Sequence, residues 1–456
     1  MDAGGTATDR RRAKAVLFVL VCAALGMAPH WLPPARNTWP AIAAAVLLGG
    51  YSLRTVLLES LRPVSFSTPP SGSAPLPAGS APLTDAWPAV DVVVAARDEQ
   101  AVINRLVEHL AALRYPQESL RFWVVDDGSS DRTPELLEGL QQRFPQLQVV
   151  RRPPDAGGGK SGALNLVLQQ LQGRWMLVLD ADAQLQVDTL ERLIPYAEAG
   201  GWAAVQLRKA VANAGTNLLT RAQAMEMALD AVIQQGRLAV GGVAELRGNG
   251  QLLNRAALLA CGGFNEATVT DDLDLSFRLL VGGRPIGVAW DPPVREEAVL
   301  SLRALLRQRQ RWAEGGLQRF FDYGPQLLSN RLTGRQRLDL FSFFLLQYAM
   351  PMLAVADLAG ALVTRSLPCI WPLSIVALGL SGLAIVSGCR RPSEGPELPA
   401  MNLWAMGLGI AYLVHWFVVI PWVTLRMAVL PKRLVWAKTL HLGEPGDDEQ
   451  PATAAV

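Results

Sequence analysis

Met176-Leu177-Val178-Leu179-Asp180-Ala181-Asp182 is an apolar run of strand length that stops on two carboxylates one residue apart. A short apolar run closed by polar groups reads as a buried strand whose carboxyl end meets a ligand crevice. Two similar runs lie upstream. Val90-Asp91-Val92-Val93-Val94-Ala95-Ala96 is rich in β-branched residues, and Phe122-Trp123-Val124-Val125 leads directly into Asp126-Asp127-Gly128. Amphipathic helical stretches separate the three. Strand alternating with helix predicts an α/β fold, a doubly wound and mostly parallel sheet. Such a sheet presents the carboxyl ends of its strands to one crevice, so Asp126, Asp127, Asp180 and Asp182 are expected to converge there.

Outward from this unit the chain turns greasy. At 456 residues with 50% hydrophobics it is too long for one ordinary domain and too apolar for an ordinary soluble protein. Residues 15–32 and 39–58 are each about as long as a bilayer-crossing helix. No small-residue cleavage pattern follows the second, and the first ends at Pro33-Pro34, so a hairpin is expected rather than a signal peptide. Arg10, Arg11, Arg12 and Lys14 before it and Arg62 after it place both ends in the cytoplasm by the positive-inside bias.

Residues 65–84 are mostly Pro, Ser, Gly and Ala and cannot bury a core. After Asn330, residues 338–363, 367–387 and 401–425 are further candidate spans. Five crossings would strand Lys432, Arg433 and Lys438 on the far side, so one segment is expected to be interfacial or re-entrant. The expected organisation is a cytoplasmic tail at 1–13, a transmembrane hairpin at 14–59, a linker at 63–86 and a cytosolic catalytic domain at 87–325. Membrane and interfacial helices follow at 326–440, and 441–456 reads as a disordered tail. A net charge of +2 gives no field for nucleic acid, and the four scattered cysteines suggest neither a zinc site nor a disulfide framework.

Five short patterns carry chemistry. Hard oxygens at Asp180 and Asp182 suit Mg²⁺ or Mn²⁺ carrying a diphosphate, although a lone Asp-x-Asp also fits a solvated turn. Asp126-Asp127-Gly128-Ser129-Ser130-Asp131 is by itself equally turn-like; paired with the first cluster on neighbouring strand ends it points to a site. Gly157-Gly158-Gly159-Lys160-Ser161 lacks the first glycine of a phosphate loop, since Pro154 stands there, but Lys160 can still neutralise a diphosphate. The alternative is a flexible loop capped by Ser161 ahead of a helix at 162–171. Thr270-Asp271-Asp272 opens an amphipathic helix. A helix-dipole role explains one of its acids and not all three of Asp271, Asp272 and Asp274, which makes Asp272 the candidate base. Arg307 to Trp312 could lie on phospholipid; alternatively Arg311 stabilises a leaving diphosphate and Trp312 walls the sugar or acceptor.

The ordered set Val94-Ala95-Ala96-Arg97-Asp98-Glu99, Asp126-Asp127-Gly128, Gly159-Lys160-Ser161, Asp180-Ala181-Asp182, Thr270-Asp271-Asp272 and Gln308-x-x-Arg311-Trp312 resembles the membrane-embedded family 2 glycosyltransferases. The resemblance covers roughly 90–323. It implies a nucleotide-diphospho-sugar transferase domain of GT-A type and an inverting, metal-dependent reaction. It assigns Asp126 and Asp127 to the nucleotide, where Lys160 adds its charge, Asp180 and Asp182 to the metal diphosphate, Asp272 to the base, and Gln308, Arg311 and Trp312 to the donor and acceptor channel. The runs 204–214, 245–251 and 311–316 are similar to one branch, the cyanobacterial β-monoglucosyldiacylglycerol synthases, which implies UDP-glucose as donor, diacylglycerol from the bilayer as acceptor, and a plasma or thylakoid membrane location. Thr-Asp-Asp in place of the Thr-Glu-Asp usual in polysaccharide synthases agrees with that branch. A processive synthase of a β-linked polymer is the alternative. Its spans should carry polar residues along one face, whereas 338–363 offers chiefly Gln347, Tyr348 and Asp357, and 401–425 Asn402, His415 and tryptophans.

Overall fold

The computed structural model describes residues 3–61 and 87–430. The expected linker at 63–86, the tail at 441–456 and the end of the helical region beyond 430 lie outside the described residues. Helices α1 (Ala3–Met27) and α2 (Trp39–Leu61) precede the sheet domain. That domain runs β1 (Val90–Ala96), α3 (Ile103–Ala111), β2 (Leu120–Asp127), α4 (Thr133–Arg143), β3 (Leu147–Arg152), α5 (Gly159–Leu168), β4 (Trp175–Leu179), α6 (Thr189–Ala199) and β5 (Ala204–Val211). It continues through α7 (Leu218–Ala239), β6 (Gln251–Asn254), α8 (Arg255–Ala260), α9 (Asp271–Val281), β7 (Ile286–Glu296) and α10 (Leu302–Leu327). Then come α11 (Gly334–Phe344), a π-turn at Leu345–Ala349, α12 (Met350–Thr364), α13 (Trp371–Arg390), α14 (Leu403–Leu413) and α15 (Trp416–Val429).

The seven strands lie in the order β3-β2-β1-β4-β6-β5-β7, and only β6 runs antiparallel to its neighbours. Period-two alternation explains the layers. Along β1, Val92 and Val94 face a core shared with Ile103, Leu106 and Leu193, while Val93 and Ala95 face Leu164, Val167 and Leu275. In register, Ala96 pairs with Asp126 and Val94 with Leu179, so the acidic ends of β2 and β4 flank the end of β1. This is the doubly wound, mostly parallel sheet that alternation predicted.

Four strands were not legible as apolar runs. The edge strand β3 carries Arg151 and Arg152, and β7 contains Asp291-Pro292-Pro293. In β5, Arg208 is fully buried because its guanidinium donates to the Trp290 carbonyl (2.9 Å) and Asp291 (3.0 Å). A buried cation with partners from another strand cannot be told from a solvated one by sequence alone.

Five helices are long and apolar enough to cross a membrane among the described residues: Arg10–Trp31, Trp39–Leu57, Gly334–Thr364, Trp371–Arg390 and Leu403–Val429. They match the expected spans. At the end of α1 farthest from the sheet, His30 Nε2 lies 2.8 Å from Asp357 Oδ1, and Asp357 also accepts from the Cys369 and Ile370 amides (2.8 and 3.1 Å). Asp357 therefore has a full set of partners and staples the helical turn after α1 to the α12–α13 turn. At the other end of α1, Arg11 Nε donates to Asp322 of α10 at 2.8 Å. The last pair breaks at Val414-His415, and α14 packs along α7 while α15 packs along α10, α1 and α12.

Candidate active site

At the carboxyl end of β4 the chain leaves the sheet with Asp180, whose backbone N–H donates to Asn249 Oδ1 at 3.1 Å. Asp180 pairs with Lys160 at 2.5 Å. Lys160 sits in the first turn of α5, which begins at Gly159 with Gly158 as its left-handed cap (φ 69°). The expected cap at Ser161 is therefore displaced: Ser161 is buried inside the helix. A β-carbon at Gly158 would lie 2.5 Å from a Glu266 oxygen, so the tight approach as well as the backbone angle selects glycine. The acids around Lys160 outweigh its desolvation and hold it firmly protonated.

Asp182 is 4% exposed, and its Oδ2 accepts the Glu297 backbone N–H at 2.9 Å, which fixes its orientation at the rim of the sheet. The Asp180 and Asp182 carboxylates both line one cavity of about 550 Å³. Two hard-oxygen donors at one strand end have the donor chemistry of a Mg²⁺ or Mn²⁺ site.

Asp271 and Asp272 start α9, where the helix dipole favours acids, and both face the same cavity. Asp272 is pushed up to about 6, first by loss of water and then by the Asp271 charge, against Arg247 and Lys160. Asp271 Oδ2 is buried without a hydrogen-bond partner. The N-cap residue Thr270 packs where α10 offers Gly315, since a β-carbon there would collide with the Thr270 side chain.

From α10, Gln308, Arg311 and Trp312 reach the cavity as well. The arginine-rich stretch splits by helical spacing: Arg307 and Arg311 share one face, and Arg309 points the other way into full burial. Arg309 pairs with Glu226 of α7, donates to Gln308 Oε1 at 2.7 Å and lies 4.0 Å from the Trp312 ring centroid. Lys209 approaches that ring at 5.3 Å and pairs with Glu296 at 2.8 Å. Arg311 makes no hydrogen bond or ion pair among the described residues. A cavity-facing cation in that state is ready for an anionic ligand.

Seven of the nine predicted site residues thus share one cavity: Lys160, Asp180, Asp182, Asp272, Gln308, Arg311 and Trp312. Asp126 and Asp127 lie beside it, nearly buried and turned inward. Asp126 Oδ1 accepts from the Ser129 amide at 3.0 Å, and Asp127 pairs with Arg152 at 2.5 Å. Sequence reading missed Arg152, Lys209, Glu226, Arg247 and Arg309. Arg247 ion-pairs with Asp230 (3.1 Å) and Glu245 (2.9 Å) and faces Asp272. Its only signal was membership of the run 245–251.

The same cavity continues past Arg319 to Phe343, Gln347, Met350, Ala377 and Phe417, all on helices of the apolar bundle. Gly316 of α10 helps this joint form, because a β-carbon there would strike the Tyr348 hydroxyl in the π-turn. The site therefore joins charged strand ends to an apolar interior.

Residues 88–315 match the family described as "Glycosyltransferase like family 2". The beta-monoglucosyldiacylglycerol synthase of Synechocystis is 44% identical over 95% of this chain and 88% of its own. That of Trichormus variabilis is 44% identical over 78% of this chain and 77% of its own. Among solved structures, a mannosyltransferase of Pyrobaculum calidifontis in complex with GDP-Man and Mn²⁺ superposes with a TM-score of 0.54. At 21% identity, covering 84% of this chain and 99% of that one, it shows the shared GT-A fold. With its carboxylates on the strand ends of that fold and 44% identity along nearly the whole chain, the protein belongs to the family 2 glycosyltransferases, in the branch of the cyanobacterial beta-monoglucosyldiacylglycerol synthases.

Proposed function

We propose that the protein transfers glucose from UDP-glucose to the free hydroxyl of 1,2-diacylglycerol, with inversion, giving β-monoglucosyldiacylglycerol. The observation that carries this reading is the continuity of one cavity from Asp180 and Asp182 to apolar helices, with Asp272 between them. An acceptor drawn from lipid needs such a passage, and its hydroxyl would arrive at the carboxylate raised to about 6. A carboxylate of that basicity, still ionised near neutral pH, accepts the hydroxyl proton as the oxygen attacks the anomeric carbon. The bond from that carbon to the diphosphate breaks, and UDP leaves with the electron pair.

Asp180 and Asp182 would hold Mg²⁺ or Mn²⁺, which when bound would offset charge on the departing diphosphate. Arg311 and Lys160 add fixed positive charge to the same cavity. Trp312, clamped between Arg309 and Lys209, presents a rigid edge to the sugar or acceptor. Asp126 and Asp127 contribute to the nucleotide pocket from the end of β2, Asp127 through Arg152.

The catalytic unit at 87–325 lies on the cytosolic side, between the hairpin at 14–59 and the helices at 326–440. Four segments cross the bilayer, and α14–α15 is the interfacial one. The Tyr412 hydroxyl and Trp416 Nε1 both donate to Glu226 (2.8 and 3.1 Å), and Arg426 pairs with Glu314, so the middle and the end of this segment touch the catalytic domain. An even crossing number returns Lys432 and Arg433 to the side of Arg10, Arg11 and Arg12. A reporter active only in the cytoplasm, fused after residue 456, should be active.

Purified protein given labelled UDP-sugars, with and without diacylglycerol and with and without Mg²⁺, tests the reaction. The expected product is lipid-extractable, glucose-containing and dependent on both. A water-soluble polymer formed without diacylglycerol would make the protein a polysaccharide synthase instead.

A further inference from the structure

Gln347 stands in the middle of the π-turn at Leu345–Ala349, between Asp339 and Asp357 of the long membrane helix. Its side-chain amide makes no hydrogen bond among the described residues. The amide is half-buried and faces the cavities, and polar groups at membrane depth mark functional paths. The π-turn itself inserts a residue into the helical ladder, an arrangement that recurs at functional sites.

Two cavities meet at this residue. The larger, of about 550 Å³, contains Asp272 at one end and Trp416 and Phe417 at another. The smaller, of about 170 Å³, opens between α2, α11 and α13; Val56, Val376 and Leu380 give it apolar walls, and at one side lie Tyr51, Arg237 and Asp339, which satisfy one another (Tyr51 to Asp339 2.8 Å, Arg237 to Asp339 2.9 Å). Ile233, Phe343, Leu346, Gln347, Met350, Ala377 and Ser381 line both. The two cavities adjoin across this shared wall, so a ligand entering both would fork here, at the wall's polar groups Gln347 and Ser381; the Ser381 hydroxyl already donates to the Ala377 carbonyl (2.9 Å).

The acceptor proposed above has one free hydroxyl, ester carbonyls that only accept hydrogen bonds, and two acyl chains. We infer that the fork recognises the diacyl pattern: the Gln347 amide donates to an ester carbonyl while one chain enters the small cavity and the other follows the large one. The inference rests on the diacylglycerol reading of the site. It makes Gln347 the residue that distinguishes ester-linked acceptors and the small cavity the element that demands a second chain. With the carbonyl held at the fork, the hydroxyl on the adjoining carbon points back along the large cavity toward Asp272.

The test uses full-length protein in lipid nanodiscs and compares kcat/KM for 1,2-diacylglycerol, its ether-linked dialkyl analogue and monoacylglycerol. Variants that still bind UDP are carried forward. The wild type should prefer diacylglycerol to both analogues. Gln347→Leu should lower the diacyl-to-dialkyl preference about five-fold, the value of one ordinary hydrogen bond. Ser52→Leu, which narrows the small cavity from α2, should lower the diacyl-to-monoacyl preference while keeping the ester preference. Either preference unchanged in its own variant overturns that limb of the fork, and should Gln347→Leu not fold, a wild type indifferent to ester against ether overturns the Gln347 role. A wild type that glucosylates no acylglycerol removes the acceptor reading itself, a result distinct from unchanged preferences.

Discussion

Asp272 and Glu245 are both carboxylates taken out of water, and Arg247 faces both, yet they settle at opposite ends of the carboxylate range. Asp272 is pushed up to about 6, by desolvation and by Asp271. Glu245 meets the same desolvation and is nevertheless held at about 2, because Arg319, Arg237 and Arg247 surround it. Arg237 in turn pairs with Asp339 of α11 at 2.9 Å, so the cluster ties the sheet domain to the membrane helices. Not every polar atom there is hydrogen-bonded, Glu245 Oε1 and Arg319 Nε among the exceptions, but Arg237, Arg247 and Arg319 match the charges of Glu245, Asp339 and Asp230. Where burial is compensated by opposite charge the group is structural; where a like charge adds to burial the group is poised to take a proton.

The strongest test of that contrast is Asp272→Asn. Loss of the general base should cut glucosyl transfer by about 10²–10⁴-fold while UDP binding and the unfolding temperature stay put. Turnover near the wild-type rate would remove Asp272 from the chemistry. Glu245→Gln should do the reverse. Leaving three guanidinium groups around a neutral amide should cost about 3–5 kcal/mol of stability, read as a lowered unfolding temperature in detergent. If that variant unfolds like the wild type, the cluster does not hold the two regions together.

Arg311→Ala addresses a cation that, unlike Arg247, makes no hydrogen bond or ion pair among the described residues. Losing a charge-assisted contact with the diphosphate is worth about 1.5–3 kcal/mol, roughly 10–100-fold in kcat/KM for the donor. The loss should be absent for binding of glucose alone by calorimetry, since no phosphate is present; equal losses for both would make Arg311 a structural residue.

The cleft was more legible in sequence than the cluster, for a physical reason. Carboxylates at Asp180, Asp182 and Asp272 announce themselves by their place after an apolar run or at a helix start, which is local information. Glu245, Arg319 and Asp339 carry no local mark, because apart from the Arg247 pair beside Glu245 each is explained by partners brought in from other elements. The same holds for Arg309, which looked like part of a cationic face and is buried against Glu226. Among strands, β1, β2 and β4 were legible because they are central and apolar. By contrast β5 and β7 hide buried cations and prolines that only cross-strand pairing explains.

The smallest expected effect tests the origin of the raised value at Asp272. The base acts only when ionised, so transfer should fall as pH drops through about 6, tenfold per unit below it. The groups facing it are Asp271 beside it in α9, Arg247 before β6 and Lys160 from α5. Of these only Asp271 adds to the rise. Asp271→Asn should therefore shift the acid limb of the kcat/KM profile to lower pH, by up to about one unit. That is about 1.4 kcal/mol, within the range of about 1–4 kcal/mol for two unit charges 4 Å apart between bulk water and a protein-surface dielectric. Arg247→Met removes a charge that opposes the rise, and it should move the limb the other way. Opposite displacements would locate the titrating group between these two charges, whereas a profile indifferent to both would place the acid limb on a different residue.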